Sequence, residues 1–229
     1  SKRVKKHCSC LASIRTPLSN QNLCVINAHA PDSGQTKAKR EGFQRRLECA
    51  LADCKAGETL ILAGDFNASM GVAKETEDGD GVCGKYGITH INDAGRELQA
   101  TASMHGLIDL VSREEQKFYG TWMHARSKKW YQLDRIFMRE EDGDKVHKCI
   151  NAEMVVDSDH FSVRLHARYQ KPQTKGKTKR KRRMQADWQA HLLPMVETSK
   201  REKVVADVAA ALLLRGEEED PGLKLQKAV

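Results

Sequence analysis

Between positions 1 and 28 the chain carries no aspartate and no glutamate, and between 171 and 183 it again carries no acid. Aromatic residues make up 5% of the chain and hydrophobic residues 39%, so any core must be mostly aliphatic. No run of about 18 apolar residues exists, which excludes a membrane-spanning helix from the reading. The opening segment, SKRVKKHCSC, is basic, but no apolar stretch follows it, so it does not read as a secretory signal. No period of 20 to 50 residues recurs, which excludes a repeat architecture. The cysteines are Cys8, Cys10, Cys24, Cys49, Cys54, Cys83 and Cys149, odd in number and without zinc-finger spacing. They read as reduced thiols of an intracellular protein rather than as a disulfide framework. The segment His7–Cys10 would hold a metal only with distant partners.

The net charge of +8 is unevenly placed. Eight basic residues lie between Lys171 and Arg183, and without them the chain is formally neutral. Four more fall within the first six positions. Such a run can neutralise phosphates, serve as a nuclear address or act as a solvated linker. The chain divides accordingly into a body over 1–170, a basic linker over 171–183 and a helical tail over 184–229. The tail carries apolar stripes at Trp188, Leu192, Met195 and Val196, then at Val204, Val205, Val208, Ala211 and Leu212. It is a candidate surface for a protein partner.

Periodicity orders the body. Leu11–Arg15 and Asn22–His29 read as strands joined by a turn containing Pro17. Lys37–Cys54 has helical spacing, with Phe43, Leu47, Ala50, Leu51 and Cys54 on one side. Thr59–Ala63 is a short buried strand, followed by a long polar loop. Asn92–His105 reads as a second helix closed by Gly106, and Leu107–Val111 as a strand. Further strands are expected at Phe118–Trp122, Tyr131–Met138, Ala152–Val156 and Phe161–Ala167. Strands alternate with helices early and then follow one another. This predicts an α+β fold, a partial four-layer α/β/β/α sandwich of two mixed sheets with a C-terminal helical tail.

Four short stretches carry chemistry. In LILAGDFNASMG, Gly64 permits an unusual backbone, and Asp65 and Asn67 alternate in extended chain, so both face one side. A carboxylate that orients and deprotonates water, beside an amide donor that steadies phosphoryl charge, suits attack on a phosphodiester. The same residues equally suit an Asx-turn that caps backbone amides. In DSDHFSVRL, Asp159 and His160 precede an alternating strand, as a phosphate- or metal-binding pair or as turn caps. In WYQLDRIFM, Asp134 sits among apolar residues and needs a partner. His160 would supply one, and the adjacent Arg135 points the other way. In INAHAP, His29 ends a buried strand, in a structural or a catalytic role.

Taken in order, these motifs resemble the endonuclease/exonuclease/phosphatase family. TWMHARSKKWYQLDRIFMRE and LILAGDFNASMG are most similar to the endonuclease domains of LINE-type retrotransposons. The resemblance runs from about Leu11 to Tyr169 and omits the tail. It implies two mixed sheets packed face to face with helices outside, and hydrolysis of phosphodiesters in nucleic acid, DNA first, in the nucleus. By the same resemblance, Asp65 and Asn67 position water and phosphate. Asp159 serves metal or water, with Asp65 as a second metal ligand. His160 contacts the scissile phosphate, Asp134 holds that histidine, and His29 donates a proton to the leaving oxygen. The implied cofactor is Mg²⁺ or Mn²⁺. The family's opening strands, which carry an Asn and then a metal-binding Glu, are expected to be missing, because no acid precedes His29. The ion should therefore bind weakly and hydrolysis should be impaired. The alternatives are a non-catalytic remnant that binds nucleic acid through the basic segment, and a chromatin protein-interaction module.

Overall fold

The structure, a computed structural model, describes residues 3–18, 21–73, 81–154 and 158–168. Its strands and helices in chain order are β1 (Arg3–Cys8), β2 (Leu11–Pro17), β3 (Asn22–His29), α1 (Lys37–Ala52), β4 (Thr59–Asp65), α2 (Asp93–Met104), β5 (Leu107–Asp109), β6 (Trp122–Met123), β7 (Trp130–Tyr131), β8 (Asp134–Arg139), β9 (Val146–Met154) and β10 (Phe161–Ala167). Six strands form one sheet in the order β1-β2-β3-β4-β8-β5. Only β3 and β4 run parallel, joined by the crossover through α1; every other pair in the sheet is antiparallel. The fold is therefore α+β with a mixed principal sheet.

Alternation along the strands divides the core between the two sheet faces. Cys24, Ile26, Ala28, Leu60, Leu62 and Phe137 point to the helix side, where Phe43 and Leu47 of α1 and Leu98 and Ala102 of α2 cover them. Leu23, Val25, Ile61, Ala63, Ile136 and Met138 point to the other side, where Cys149, Val163, Leu165 and Ala167 cover them. Those covering residues belong to β9 and β10, an antiparallel pair. Among the described residues the second sheet is thus a two-stranded antiparallel ladder, not a mixed sheet. Among the described residues the order of layers is helices, principal sheet, ladder.

Local chemistry sets the helix ends. The Thr36 side chain accepts the Lys39 N–H at the start of α1, and Asn92 accepts the Gly95 N–H at the start of α2, each satisfying an orphan donor. The Asn92 side-chain Oδ1 also accepts the Ser69 N–H at 3.1 Å. This cap ties α2 to the loop that leaves β4.

Several boundaries differ from the expected ones. β1 has no apolar alternation to betray it: it is an edge strand whose Val4, Lys5 and Lys6 are exposed. Basic residues on an edge also discourage pairing with another chain. The strand expected over Tyr131–Met138 is two, because the Thr121 hydroxyl takes the N–H groups of both Leu133 (2.9 Å) and Asp134 (3.0 Å). Those amides are thereby withdrawn from a continuous ladder. Of Phe118–Trp122 only Trp122 joins a strand, in the hairpin β6–β7. β9 begins at Val146, ahead of the expected start. The basic run over 171–183 and the helical tail over 184–229 lie outside the described residues.

Candidate active site at the ends of β3, β4 and β8

Gly64 permits the arrangement. Its φ is +146°, and a Cβ there would lie 1.8 Å from the Ala28 carbonyl oxygen. Without a side chain, β4 can lie directly beside the end of β3, with Ala28 opposite Gly64 and His29 opposite Asp65. On the other side of β4, Asp65 stands opposite Asp134. Three neighbouring strands therefore place His29, Asp65 and Asp134 in one row across the sheet. His29 Nε2 lies 3.7 Å from Asp65 Oδ2, and the Asp65 side chain is 1% exposed.

The second sheet completes the row. Trp122 bridges to His160, and the Phe161 N–H donates to the Thr121 carbonyl at 2.8 Å, which seats the start of β10 against the β6–β7 hairpin. A turn in which the His160 N–H donates to Ser158 Oγ at 3.1 Å aims the imidazole inward. His160 Nδ1 then meets Asp134 Oδ2 at 2.8 Å. Burial pushes the Asp134 carboxyl up, and the negative charge of Asp65 adds to the rise; the hydrogen bonds from His160 and Thr121 oppose it. Two acids thus stand opposite each other on neighbouring strands, each with an imidazole nitrogen near its carboxylate. Arg135 points away, as its place in the strand demands, and pairs with Asp109, both side chains being fully buried.

Asn67 departs from the expected extended alternation. Its φ is +47°, in the left-handed region. Its N–H donates to Asp65 Oδ1 at 2.9 Å, so Asp65 closes an Asx-turn. Its side-chain Nδ2 donates to the Ala30 carbonyl at 2.8 Å, fastening the segment after β3 to the segment after β4. The turn-capping reading thus holds at Asp65 and Asn67, and the Asn67 amide is engaged within the fold. Asp159 is exposed, and its Oδ2 accepts the Trp122 indole N–H at 2.9 Å. Thr121 and Trp122 are the contributors that residue-type reasoning passed over. Their signal was the Thr-Trp pair in front of the Asp134 strand, which has no meaning until the hairpin folds over β10.

The donors present can be weighed against the divalent ion that the resemblance implies. Asp65 and Asp159 offer hard oxygens of the type Mg²⁺ takes, usually one or two carboxylates completed by water and phosphate. They do not make a closed cage. Among the described residues, the group of three side chains whose ligand atoms lie within 4.8 Å of one another is Cys24, Cys54 and Glu58. That group sits at the opposite end of β3. Its carboxylate is already engaged by Arg15 (3.2 Å), Asn22 (3.3 Å) and the Lys55 N–H (3.1 Å). Asp65 is 1% exposed and Asp159 is exposed beside Trp122, so the two carboxylates offer hard oxygens without forming a ready-made ion site.

No protein-family model and no curated protein matches the chain. Solved structures do. The endonuclease domain of TRAS1, a telomere-specific non-LTR retrotransposon, is similar at 17% identity and a TM-score of 0.47, over 70% of this chain and 64% of that one. The 3'-5' exonuclease NExo from Neisseria meningitidis is similar at 17% identity and a TM-score of 0.47, over 65% of this chain and 62% of that one. An endonuclease/exonuclease/phosphatase family protein from Leptotrichia buccalis is similar at 22% identity and a TM-score of 0.46, over 69% of this chain and 52% of that one. The chain thus spans less than two thirds of the length of each.

Proposed function

We propose that this chain derives from an endonuclease/exonuclease/phosphatase domain of a LINE-type retrotransposon, or from a host protein descended from one, such as craniofacial development protein 2. Its site would hydrolyse a phosphodiester of DNA in the nucleus. The observation that carries the proposal is the row His29, Asp65, Asp134 across three strands, closed by His160 at 2.8 Å from Asp134.

Each residue then has a task that its position allows. Asp65, at the centre of the row, orients the attacking water and draws its proton. Asn67 holds the mouth open by tying the two strand exits together. Asp134 fixes the His160 imidazole, so that its outward nitrogen faces the phosphoryl oxygens. His29 returns a proton to the departing oxygen. Such proton transfers contribute about 10²–10⁴-fold in rate. Asp65 and Asp159 would hold Mg²⁺ or Mn²⁺, which supplies positive charge against the phosphoryl oxygens when bound.

A second reading, binding without cleavage, has its own observation. The hairpin β6–β7 stands beside His160, and Arg126, Lys128 and Lys129 are exposed at its tip. Together with the basic run at 171–183 they offer phosphate contacts. A partner protein on the 184–229 tail belongs with this reading.

Nicking of supercoiled plasmid separates the two. The expected result is slow nicking with Mg²⁺ or Mn²⁺, stopped by EDTA and lost in Asp65→Ala/His160→Ala. Nicking no faster than in that double variant would retire hydrolysis. Binding then remains to be judged by salt dependence: replacing Arg126, Lys128 and Lys129 by Ala should flatten the log–log slope by about 2.7 if all three meet phosphates.

A further inference from the structure

Outside the row, two thiols converge at the turn that joins β1 to β2. Cys8 Sγ and Cys10 Sγ lie 3.1 Å apart. Cys8 pairs with Leu11 across the hairpin, so Ser9 and Cys10 form its turn. Both thiols are partly buried and pack against the helix-side core, yet remain open to a small reagent. Cys24, Cys54, Cys83 and Cys149 are buried, and Cys49 is exposed on α1.

The turn is linked to the site. Leu11 pairs with Ala28, so the turn lies beside the end of β3. The Cys10 carbonyl accepts the His29 N–H at 2.9 Å. His29 is therefore held from both sides, by Asp65 at its ring and by Cys10 at its backbone.

We propose that Cys8 and Cys10 are a redox-modification site, a dithiol that a low-molecular-weight disulfide closes into an intramolecular bridge that shifts His29 through the Cys10 carbonyl. The Cys8 thiolate attacks one sulfur of glutathione disulfide and releases one glutathione thiolate. The Cys10 sulfur then attacks Cys8 Sγ of the mixed disulfide. The second glutathione thiolate leaves and takes the Cys10 proton. Two protein thiols lose two electrons, and one glutathione disulfide becomes two glutathiones. Burial and the Cys8 neighbour push the Cys10 thiol up to about 12, which fits Cys10 as the protonated thiol that closes the bridge. A bridge across a single intervening residue departs from relaxed disulfide geometry. It should be readily reduced, and the closure reversible. The bridge itself does not depend on the proposed hydrolysis; only its consequence for activity does.

The test treats the full chain with glutathione disulfide, blocks remaining thiols, digests it and weighs the peptides. Expected is a Cys8–Cys10 peptide lighter by two hydrogens, restored by excess reduced glutathione, while Cys49 carries an open glutathione adduct. Stable adducts on Cys8 or Cys10, or reduced thiols at both while Cys49 is modified, would overturn the site. The link is read separately, by the NMR ring signals of His29, assigned with His29→Gln. They should move on oxidation of the native chain and stay still in Cys10→Ser. Unmoved signals with the bridge formed would overturn the link, whether or not the chain cuts DNA.

Discussion

Gly64→Ala should damage this protein more than its one added methyl group suggests. The new Cβ would sit 1.8 Å from the Ala28 carbonyl oxygen, 2.8 Å from its carbon and 3.0 Å from its nitrogen. Real Cβ atoms essentially never come within 3.0 Å of another heavy atom, so the backbone of β3 must retreat by more than an ångström. It cannot do so freely, since Ala28 is held between Leu11 of β2 and Gly64 itself. The φ of +146° adds a backbone conformation that alanine seldom adopts, a cost of about 1–3 kcal/mol. Overpacking against backbone adds about 1–3 kcal/mol more. The combined loss, about 2–6 kcal/mol, is a large part of the ~5–15 kcal/mol that holds a domain folded. The assay is urea denaturation of the variant beside Gly106→Ala, whose φ is +61° but whose added Cβ meets nothing within 4 Å. The comparison should pay only the left-handed penalty, about 1 kcal/mol. If the two variants lose equal stability, the close approach of β3 and β4 at the site is wrong. A folded Gly64→Ala that keeps the nicking rate of the native chain would refute the row of His29, Asp65 and Asp134 as the working geometry.

Four further outcomes follow from other contacts of the fold. Asp134→Asn keeps a polar partner for His160 but not its charge; the protein should fold normally, and any nicking should fall by about 10²-fold or more. Asp109→Asn should cost about 3–5 kcal/mol in urea, because it leaves the Arg135 guanidinium buried and uncompensated. Breaking the exposed Lys37–Glu41 pair by Glu41→Gln should cost under about 0.5 kcal/mol. Burial alone would raise the Glu58 carboxyl, but the Lys55 amide, the Arg15 guanidinium and the Asn22 amide hold it below the ordinary glutamate value of 4.5. The stability this contributes is present above pH 4.5 and is lost as pH falls through the lower folded value. Glu58→Gln should therefore be less stable at neutral pH by about 1–3 kcal/mol and should show a flatter acid limb.

What residue order alone determined was local. A continuous apolar run placed β4, apolar period 2 placed β10, and period 3.6 placed α1 and α2 to within about two residues, because burial on both faces or on one leaves its own trace. The caps at Thr36 and Asn92 mark the helix starts by their chemistry. Asp134 announced its need for a partner because a carboxylate among Ile136, Phe137 and Met138 cannot stay unpaired, and His160 answers it. β1 left no trace, since an edge strand with exposed lysines buries too little to pattern its residues. The break between β7 and β8 was hidden as well, because it is made by a hydroxyl ten residues upstream of Tyr131. The position of Asn67 was misjudged in conformation, because local alternation assumes extended chain and the Asp65 side chain curls it into a left-handed turn. Only the tertiary structure decided that Cys10 would lean on His29, that Trp122 would hold Asp159, and that Asp65 would face His29 on one side and Asp134 on the other. Strand register sets all three, and register is a property of pairing between distant segments, summed over a whole ladder rather than written in any one of them.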